Sequence, residues 1–369
     1  MQYNTLCLYD VTNFLSLSWY VKRKQTDTSM TKTVLVLGGS GFLGRNLVNS
    51  LHDRGNLKIK VVDVSRTFED DRVDFDAGDI TRIDDLYKAF EGVDTVFHTV
   101  SPAVSLDAKP SESLLYAVNV LGTQNVIEAC IRVGVRQLIY TSSASVVFDG
   151  TALHHVDETQ AYPAKHLDPY SETKAEAERC VLEANGRKGL LTVSLRPSGL
   201  FGPHDTTAWP GFLKVAREGK SRVLIGDGTN QFDWSYIENV AQAHLLAMDR
   251  LTEGSPVAGS SYFITNDEPT LFWSMADYVY SSYGYPKTNV HLPYFIMLQV
   301  CILLELIALL LGWFGFKWTP IFNRFRCANS AMNRTFSIEK AKKELGYKPH
   351  ITLEEAKERT LKWFKENRR

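Results

Sequence analysis

The sequence carries almost no net charge and has few cysteines. Its 41 basic side chains are balanced by 42 acidic ones, which gives a net charge of -1 at pH 7. A nucleic-acid-binding protein needs a basic surface, so this composition does not predict nucleic acid as a partner. The five cysteines, at positions 7, 130, 180, 301 and 327, form no C-x-x-C pair. This argues against a disulfide framework or a zinc site and favours a reducing compartment.

Long apolar runs are also scarce, and the exception is the segment 292–316. It holds one charged side chain, Glu305, among its 25 residues and is long enough to span a bilayer. A carboxyl group in the middle of a spanning helix would cost about 2.5 to 3.5 kcal/mol. We therefore expect an interfacial insertion or a helical hairpin, with both ends in the cytosol. A hydrophobic wall that closes a pocket or forms a dimer is the alternative.

Residues 1–30 are predicted to form an N-terminal extension outside the folded core. Their apolar stretch, residues 14–21, is short, and Asp10 stands where a signal peptide carries positive charge. A weak membrane anchor, a targeting arm and an alternative start are the interpretations that stay open for this segment.

A nucleotide-binding turn follows the extension. Residues 33–37 form a continuous apolar run, which predicts a buried parallel strand. Gly38, Gly41 and Gly44 then form a G-x-x-G-x-x-G pattern that leads into a helical pattern. The missing side chains allow a tight turn and the close approach of a pyrophosphate, which the helix N-terminus then faces. The strand, turn and helix together predict a dinucleotide site.

The second predicted strand ends in Asp63, at the usual distance from the glycine turn. A carboxylate there binds the adenosine ribose hydroxyls and repels a 2'-phosphate, so we expect NAD as the cofactor. Arg66, three residues later, keeps NADP as the less favoured alternative. Asp79 and Ile80 follow the third predicted strand and are candidates for contact with the adenine.

Strand and helix patterns then alternate, as they do in a doubly wound parallel sheet. The predicted strand 95–99 ends in Thr99, and the predicted strand 137–140 runs into serines at 142, 143 and 145. Ligands bind at the carboxyl ends of such strands. The sequence therefore predicts that these hydroxyl groups lie beside the cofactor.

Tyr170 and Lys174 are four residues apart and share one face of a predicted helix. The pKa of a tyrosine is normally about 10, and a nearby ammonium group lowers it. We therefore expect Lys174 to lower the pKa of Tyr170. The pair is a candidate general base that removes a proton from an alcohol.

Taken together, these motifs resemble the extended short-chain dehydrogenase/reductase family, over about residues 31–369. The shared features are the glycine pattern, the acid after the second strand, the serine cluster, Y-x-x-x-K and the R-P-S-G-L-F-G-P stretch. Within that family, the stretches 140–150, 168–174 and 226–246 are most similar to the 3β-hydroxysteroid dehydrogenase group. Leu37 and His98-Thr-Val depart from the common pattern without removing a catalytic group.

The resemblance implies a catalytic trio. Tyr170 is expected to be the acid/base, Lys174 to bond the nicotinamide ribose, and Ser143 to hydrogen-bond the reacting oxygen. Asn119 is expected to order the site, with a purely structural role as the alternative. The predicted cofactor-binding set is Gly38, Gly41, Phe42, Leu43, Gly44, Asp63, Asp79, Ile80, Thr99, Asn119, Tyr170, Lys174, Pro197 and Ser198, with the last two beside the nicotinamide. No metal site is expected.

The expected fold class is α/β. A Rossmann-type doubly wound parallel sheet is followed by a smaller C-terminal substrate-binding lobe. We assign residues 31–200, rejoined by about 234–265, to the NAD-binding domain. Residues 201–233 and 266–369 are assigned to the lobe.

The resemblance implies NAD-dependent oxidation of the 3β-hydroxyl of a 4α-carboxysterol, with loss of the C4 carboxyl as carbon dioxide. The alternatives are a steroid-hormone-type 3β-hydroxysteroid dehydrogenase/isomerase, a nucleotide-sugar epimerase or dehydratase, and a non-catalytic NAD-binding scaffold. Loop packing is the expected role of His204, Asp205 and Trp209, with a place in the lining of the substrate pocket as the alternative. We expect a sterol substrate, possible homodimer formation, and a cytosol-facing catalytic body on the endoplasmic reticulum membrane or a lipid droplet.

Overall fold

The computed structural model describes residues 31–106, 109–316, 318, 320 and 322–367. The predicted extension, residues 1–30, lies outside the described residues.

The strands of the described part are numbered in chain order. They are β1 (Lys32–Leu37), β2 (Leu57–Asp63), β3 (Asp74–Ala77), β4 (Thr95–His98), β5 (Gln137–Thr141), β6 (Leu153–Val156), β7 (Leu191–Pro197), β8 (Leu200–Phe201), β9 (Val223–Ile225), β10 (Gln231–Phe232), β11 (Ser235–Tyr236), β12 (Ser260–Ile264), β13 (Thr270–Leu271), β14 (Val290–Leu292) and β15 (Arg334–Phe336). The predicted strands 33–37, 95–99 and 137–140 agree with β1, β4 and β5 to within one residue at either end.

The α-helices are numbered in the same way. They are α1 (Phe42–Arg54), α2 (Ile83–Phe90), α3 (Glu112–Leu115), α4 (Thr123–Val133), α5 (Pro169–Glu183), α6 (Ala208–Arg217), α7 (Ile237–Arg250), α8 (Phe272–Ser282), α9 (Tyr294–Trp313), α10 (Arg324–Ala331) and α11 (Leu353–Glu366). Tyr116–Gly122 and Ala341–Leu345 are π-helical, and Ala144–Val147 and Arg187–Gly189 form 3₁₀ turns.

Seven strands pair in parallel in the order β12, β7, β5, β4, β1, β2, β3. The chain runs outward from β1 to β3, then returns to the other side of β1 and continues from β4 to β12. The reversal opens a crevice at the carboxyl ends of β1 and β4, where doubly wound sheets bind their ligands. This topology confirms the predicted Rossmann-type fold class.

Helices cover both faces of the central sheet. Along β1, Val34 and Val36 belong to the core cluster that contains Leu47 of α1. Leu35 and Leu37 belong to the cluster on the opposite face, together with Val126 of α4. Successive residues of a strand point to opposite faces, so burial on both sides requires the continuous apolar run seen in the sequence.

Smaller sheets lie beside the central one. Their orders are β13-β10-β15-β6, β11-β8 and β14-β9. Strand β6 falls within the range assigned to the NAD-binding domain, yet it pairs with β15 from the predicted lobe. The two-lobe division therefore stays a prediction, and β6 connects its two parts.

Helix α9 is unusually exposed for its composition. Its mean hydropathy is 2.5 and only 6% of it is buried. Phe295, Leu309 and Trp313 are 71%, 63% and 84% exposed. Among the described residues, the stretch 112–133 is also long and apolar enough to span a membrane, but half of it is buried in the core.

Candidate active site

The glycine turn between β1 and α1 is closed by its own backbone. Gly38, at φ = 78°, donates its N–H to the Val62 carbonyl oxygen at 2.8 Å. Gly41 donates its N–H to the Gly38 carbonyl oxygen at 3.0 Å. A Cβ on Gly44 would collide with that same oxygen, so no larger residue fits there without a shift of the backbone.

The N-terminus of α1 faces this turn. Its N-cap is Gly41, and no side chain in the described part of the protein caps the helix. A Cβ on Gly41 would meet just one atom within 4 Å, the Gly38 carbonyl oxygen. First-turn N–H groups carry partial positive charge and bind phosphate oxygens. The turn therefore has the space and the donors that a pyrophosphate requires.

Asp63 ends β2 next to the same turn. Its Oδ2 accepts a hydrogen bond from the Ser40 N–H at 3.0 Å. Arg66 pairs with Glu69 at 3.0 Å, and its guanidinium lies 5.5 Å from the centre of the Phe75 ring. The Asp63 carboxylate thus lies at the glycine turn, whereas the Arg66 guanidinium contacts Glu69 and Phe75.

The two predicted adenine contacts differ in their surroundings. Asp79 accepts hydrogen bonds from the Thr81 N–H and hydroxyl at 2.9 and 2.8 Å. Ile80 is 4% exposed, and its side chain is so close to Gly122 that a Cβ there would collide with it. Its side chain is therefore part of the core, which leaves its backbone for any contact with a cofactor.

Phe42 and Leu43 occupy the first turn of α1. Leu43 is 7% exposed and belongs to the core, and Phe42 packs against the same cluster while half-buried. Their side chains hold α1 on the sheet, so contact with a pyrophosphate falls to their backbone N–H groups.

Thr99 and Asn119 connect β4 to its neighbours. The Thr99 hydroxyl donates to the Leu37 carbonyl oxygen at 2.8 Å. Asn119 is 1% exposed and lies in a π-helical segment. Such segments are rare in proteins, and many of those that occur lie at functional sites. Its side chain accepts from Ser101 and donates to Thr173 of α5, both at 3.0 Å. Asn119 thus fixes α5 against the end of β4.

Asp168 sets where α5 begins. Its carboxylate accepts hydrogen bonds from the Ser171 N–H at 3.1 Å and the Ser171 hydroxyl at 2.7 Å. Pro169 follows at the first helical position, where its missing N–H costs nothing. Tyr170 therefore lies in a rigid first turn.

Ser143 and Tyr170 lie close together. The Ser143 hydroxyl is near enough to the Tyr170 phenol to lower its pKa, and it accepts a hydrogen bond from the Ser145 hydroxyl at 3.0 Å. Burial raises the pKa of Tyr170 to about 12, and the charge of Asp168 adds to this, whereas the Ser143 hydroxyl lowers it. The phenol is thus a poor base in this arrangement.

Lys174 is 2% exposed on the same face of α5. Its Nζ donates to the Thr141 carbonyl oxygen at 2.5 Å and lies 4.3 Å from the centre of the Tyr140 ring. Burial lowers the pKa of Lys174 to about 7, against an opposing effect of Glu178. The prediction that Lys174 lowers the pKa of Tyr170 is wrong for this arrangement, because burial and the charge of Asp168 raise that pKa and the Lys174 ammonium group bonds the Thr141 carbonyl oxygen instead.

The ends of β5 and β7 present two buried hydroxyl groups. Ser142 follows β5 and Ser198 follows β7, and the two strands are neighbours in the sheet. Both residues are at most 3% exposed, and neither hydroxyl oxygen has a hydrogen-bond partner among the described residues. Pro197, the last residue of β7, is buried beside them. A bound group with polar edges would fit this corner of the crevice.

Residues 35–294 match the family model described as "3-beta hydroxysteroid dehydrogenase/isomerase family". The chain belongs to this family. The match covers well over half of the protein and confirms the resemblance inferred from the motifs. Because this is a family of dehydrogenases, the match also confirms that the protein is an oxidoreductase.

Curated relatives of this family member are similar over most of its length. The mouse protein "Sterol-4-alpha-carboxylate 3-dehydrogenase, decarboxylating" is 40% identical and covers 92% of each chain. The human protein of the same name is 39% identical and covers 94% of this chain and 92% of its own. An Arabidopsis thaliana "3beta-hydroxysteroid-dehydrogenase/decarboxylase isoform 1" is 40% identical, over 91% of this chain and 80% of its own.

Solved structures support the fold of this family member. A UDP-glucose 4-epimerase from Thermotoga maritima matches with a TM-score of 0.70 and 21% identity, over 90% of this chain and 99% of its own. A dTDP-glucose 4,6-dehydratase from Bacillus anthracis matches with a TM-score of 0.67 and 20% identity, over 91% and 97%. At such identities the likeness concerns the fold alone.

Glu178 is a residue of this dehydrogenase that the motif analysis missed. It is fully buried four residues after Lys174, and its carboxylate accepts from Arg196 at 2.6 Å. The Tyr162 and Ser194 hydroxyls donate to it, both at 2.6 Å. Burial opposes the charged form, but these partners, Arg196 first, lower the pKa of Glu178. The spacing of Tyr170, Lys174 and Glu178 on one helix face was the signal available in the sequence.

His204, Asp205 and Trp209, the residues for which a pocket role was the alternative, make packing and loop contacts. Trp209 is 1% exposed and stacks on Phe364, with the ring centres 5.8 Å apart. Asp205 accepts from the Thr207 and Trp209 N–H groups at 2.7 and 2.8 Å, next to the start of α6. The His204 ring packs on the Trp363 ring, with the ring centres 4.5 Å apart. Loop packing, the expected role, agrees with the contacts of Asp205 and Trp209.

A metal site was not expected, and the described residues contain no group of three or more His, Cys, Asp or Glu side chains that could hold a metal ion.

We predict that the stability contribution of Lys174 depends on pH. Its pKa is about 7 in the folded chain against an ordinary value of 10.5, so between these values the unfolded chain binds the extra proton. The unfolding free energy of wild type minus that of Lys174→Met should therefore rise with pH in this window, by up to about 1.4 kcal/mol per pH unit.

Urea unfolding at several pH values measures this difference. Lys165→Met removes an exposed lysine nearby and serves as the control, for which we expect a flat difference. A flat difference for Lys174→Met as well would contradict the lowered pKa.

Proposed function

We propose that this protein oxidises the 3β-hydroxyl of a 4α-carboxysterol and releases the C4 carboxyl as carbon dioxide, a step of C4 demethylation. The observation that carries the proposal is the assembled trio of Ser143, Tyr170 and Lys174 at the carboxyl end of β5. It occurs in a chain that is 40% identical, over 92% of its length, to a relative named for that activity.

Each member of the trio has one task in this proposal. Tyr170 accepts the hydroxyl proton, and Ser143 donates a hydrogen bond to the oxygen that becomes the ketone. Lys174, held by the Thr141 carbonyl oxygen at 2.5 Å, bonds the nicotinamide ribose and so positions the cofactor beside Tyr170. The bound nicotinamide cofactor supplies the two-electron oxidant for the alcohol.

The glycine turn, the α1 N-terminus and Asp63 would hold the pyrophosphate and adenosine ribose of that cofactor. Asp79, Ile80 and Thr99 would line the rest of the crevice, and Pro197 and Ser198 the nicotinamide end. We infer NAD rather than NADP, because the Asp63 carboxylate would repel a 2'-phosphate and Arg66 is paired with Glu69.

Carbon dioxide loss needs no further acid or base from the protein. Oxidation at C3 places a ketone next to C4, so the substrate becomes a β-keto acid. The bond between C4 and its carboxyl group then breaks, its electron pair moves onto the ketone oxygen, and the resulting enolate takes up a proton at C4 from water. Donors at that oxygen favour the step, and Ser143 is placed to be one of them.

Two alternatives use the same trio. A steroid-hormone-type dehydrogenase/isomerase would differ in the shape of its pocket, and the names of the relatives favour the decarboxylating branch. A nucleotide-sugar enzyme would have a soluble substrate, which the apolar exposed surface of α9 does not suit. A non-catalytic NAD-binding scaffold would not require Ser143, Tyr170 and Lys174 together.

We further propose that α9, with residues 292–316 around it, inserts into a membrane surface. Its exposed apolar face includes Leu306 and Leu309, and Glu305 is bound to Arg324 of α10 at 2.6 Å. That ion pair holds the one acidic residue of the helix against the protein, so α9 lies along the membrane as an interfacial helix does. The expected locations are the endoplasmic reticulum membrane and lipid droplets, with the catalytic body in the cytosol. A homodimer stays a prediction.

The catalytic proposal predicts that Tyr170→Phe lowers turnover about 10²- to 10⁴-fold, because it removes the proton acceptor. Purified full-length protein is given NAD and a 4α-carboxy-3β-hydroxysterol, and reduced cofactor and carbon dioxide are followed together. We expect matched release of both from wild type, and loss of both in the variant with NAD binding retained.

The matched control is Tyr116→Phe, which removes a phenol that is 43% exposed outside the trio. Full turnover by Tyr170→Phe would overturn the mechanism. Reduction of NAD with a 4-unsubstituted 3β-hydroxysteroid, but not with the carboxysterol, would favour the hormone-type branch.

The choice of cofactor is tested by Asp63→Asn. Asparagine keeps an acceptor for the Ser40 N–H but removes the negative charge. We expect the ratio of kcat/KM with NAD to kcat/KM with NADP to fall about tenfold or more. Asp71→Asn removes an exposed charge nearby and should leave the ratio unchanged. An unchanged ratio in Asp63→Asn would refute the role of the carboxylate.

The membrane proposal predicts that a Leu306→Glu, Leu309→Glu double variant loses binding to phosphatidylcholine vesicles. Each buried leucine contributes about 1.5 to 3 kcal/mol to insertion, and a carboxylate opposes it. Flotation measures the bound share, which we expect to fall at least tenfold. Leu271→Glu alters an exposed leucine outside α9 and is the control. Equal flotation of wild type and double variant would contradict the proposal.

A further inference from the structure

Lys174 is the member of the proposed trio that carries a positive charge when it is protonated, and its side chain is buried. Burying an ammonium group is costly unless neighbouring groups replace the water around it. The Thr141 carbonyl oxygen accepts one of its three N–H donors at 2.5 Å. The other contacts of the ammonium group therefore determine how well it is held in place for the cofactor.

The ring of Tyr140 provides the second contact. The Nζ atom of Lys174 lies over the face of this ring, 4.3 Å from its centre. The face of an aromatic ring carries partial negative charge and attracts a cation within about 6 Å, more strongly where water is excluded. Tyr140 is itself buried. The ring thus replaces part of the hydration that the ammonium group lacks in the folded chain.

The Tyr140 hydroxyl group can be separated from this contact. It is buried and has no hydrogen-bond partner among the described residues. A buried hydroxyl group without a partner opposes folding, so the hydroxyl is not what makes Tyr140 useful at this position. The ring is the part of the side chain that acts on Lys174.

The end of β5 supplies both contacts because successive residues of a strand point to opposite faces of the sheet. Tyr140 packs in the core cluster that contains Ala177 of α5. On the other face, the Thr141 hydroxyl lies 2.7 Å from Nε2 of His244 in α7. Nδ1 of His244 donates to the Val240 carbonyl oxygen at 2.8 Å.

These bonds define the tautomer of His244. Burial lowers the pKa of His244 to about 4, so the ring is neutral and carries its one proton on Nδ1. Nε2 therefore accepts a hydrogen bond from the Thr141 hydroxyl. Helix α7 thus holds the residue whose carbonyl oxygen binds Lys174.

His98 of the neighbouring strand β4 packs against the Tyr140 ring, with the ring centres 5.2 Å apart. The Thr123 hydroxyl donates to the Asn119 carbonyl oxygen at 2.5 Å, so it accepts from Nε2 of His98 at 2.9 Å. Burial, and then the charge of Lys174, lower the pKa of His98 to about 3. A neutral His98 therefore supports the Tyr140 ring without repelling the ammonium group.

The other titratable groups around Lys174 are Glu178 and Tyr170 on α5. Burial raises the pKa of Tyr170 and of Tyr140, so both phenols are neutral. Burial lowers the pKa of Lys174 to about 7, and the charge of Glu178 opposes this effect. The face of the Tyr140 ring acts in the same direction as Glu178, because it too favours the charged form of the amine.

We propose that Tyr140 is a positioning residue of the catalytic centre, and that the face of its ring holds the Lys174 ammonium group against the Thr141 carbonyl oxygen. The inference rests on the proposed function, in which Lys174 bonds the nicotinamide ribose. Tyr140 would then act on NAD binding through Lys174, although it contacts neither the cofactor nor the sterol.

The test compares full-length wild type with Tyr140→Leu, which removes the ring, and with Tyr140→Phe, which keeps the ring and removes the hydroxyl group. An NMR titration of protein with isotope-labelled lysine measures the pKa of Lys174, and Lys174→Met identifies its signal. We expect this pKa to fall by about 0.5 to 1 in Tyr140→Leu and to stay close to the wild-type value in Tyr140→Phe. Water that enters a cavity would instead raise it, so an unchanged or raised pKa in Tyr140→Leu would overturn the inference.

Binding of NAD is the second measurement. Near neutral pH, we expect the Kd for NAD to rise about threefold or more in Tyr140→Leu, and Tyr140→Phe to keep most of the affinity. Tyr87→Leu is the matched control, because it removes a ring that faces the Arg132 guanidinium at 4.0 Å outside the catalytic centre. Equal losses of affinity in Tyr140→Leu and Tyr140→Phe would refute the role of the ring.

Urea unfolding shows whether each variant folds. Tyr140→Met, whose flexible side chain fills irregular gaps, replaces the leucine variant if that variant does not fold. Neither the titration nor NAD binding uses a sterol, so two failures can be told apart. If wild type releases no reduced cofactor or carbon dioxide from the carboxysterol, the proposed function fails, while a lowered Lys174 pKa in Tyr140→Leu alone still supports the role of Tyr140. If wild type converts the carboxysterol and the Lys174 pKa is equal in all variants, the inference alone fails.

Discussion

The catalytic centre depends on one face of α5 that is buried although it carries ionisable groups. Tyr170, Lys174 and Glu178 recur every fourth residue, so their side chains lie in a row. Glu178 meets Arg196 of β7 at 2.6 Å, and both side chains are at most 4% exposed. Removing one partner of such a pair costs about 3 to 5 kcal/mol, because the other charge remains buried. The pair therefore locks α5 to β7 and fixes how far Lys174 and Tyr170 extend toward the ends of the central strands.

The same burial sets the charge of the site. It raises the pKa of Tyr170 to about 12 and lowers that of Lys174 to about 7, so it disfavours both charged forms. Proton transfer from an alcohol must create charge against this bias. The Ser143 hydroxyl near the phenol and the negative charge of Glu178 near the amine both work in the required direction. In this site, burial disfavours the charged forms of Tyr170 and Lys174, and the effects of Ser143 and Glu178 oppose it.

Sequence patterns predicted the parts of this arrangement that are local. The apolar run of β1, the glycine turn and the spacing of Tyr170 and Lys174 all depend on neighbours within a few residues, and the strands that they predict agree closely with the structure. The mistake concerns burial, which contacts across the chain decide. Trp209 makes such a contact, since it stacks on Phe364, which is distant in sequence. The pKa of Tyr170 moved in the direction opposite to the prediction, because helix spacing gives proximity but not the depth of burial.

Helix α9 shows how one contact changes the meaning of a sequence feature. Glu305 argues against a spanning helix by its cost in lipid, and the structure supplies its partner, since Arg324 binds the carboxylate through both its backbone N–H and its guanidinium. Arg324 begins α10, so the ion pair ties α9 to α10. A sterol acid in a membrane keeps its carboxylate at the headgroup level while its rings lie among the acyl chains. An interfacial α9 that is tied to α10 would hold the protein at that level, so the helix that contacts lipid and the crevice that takes up the sterol would approach the membrane as one unit.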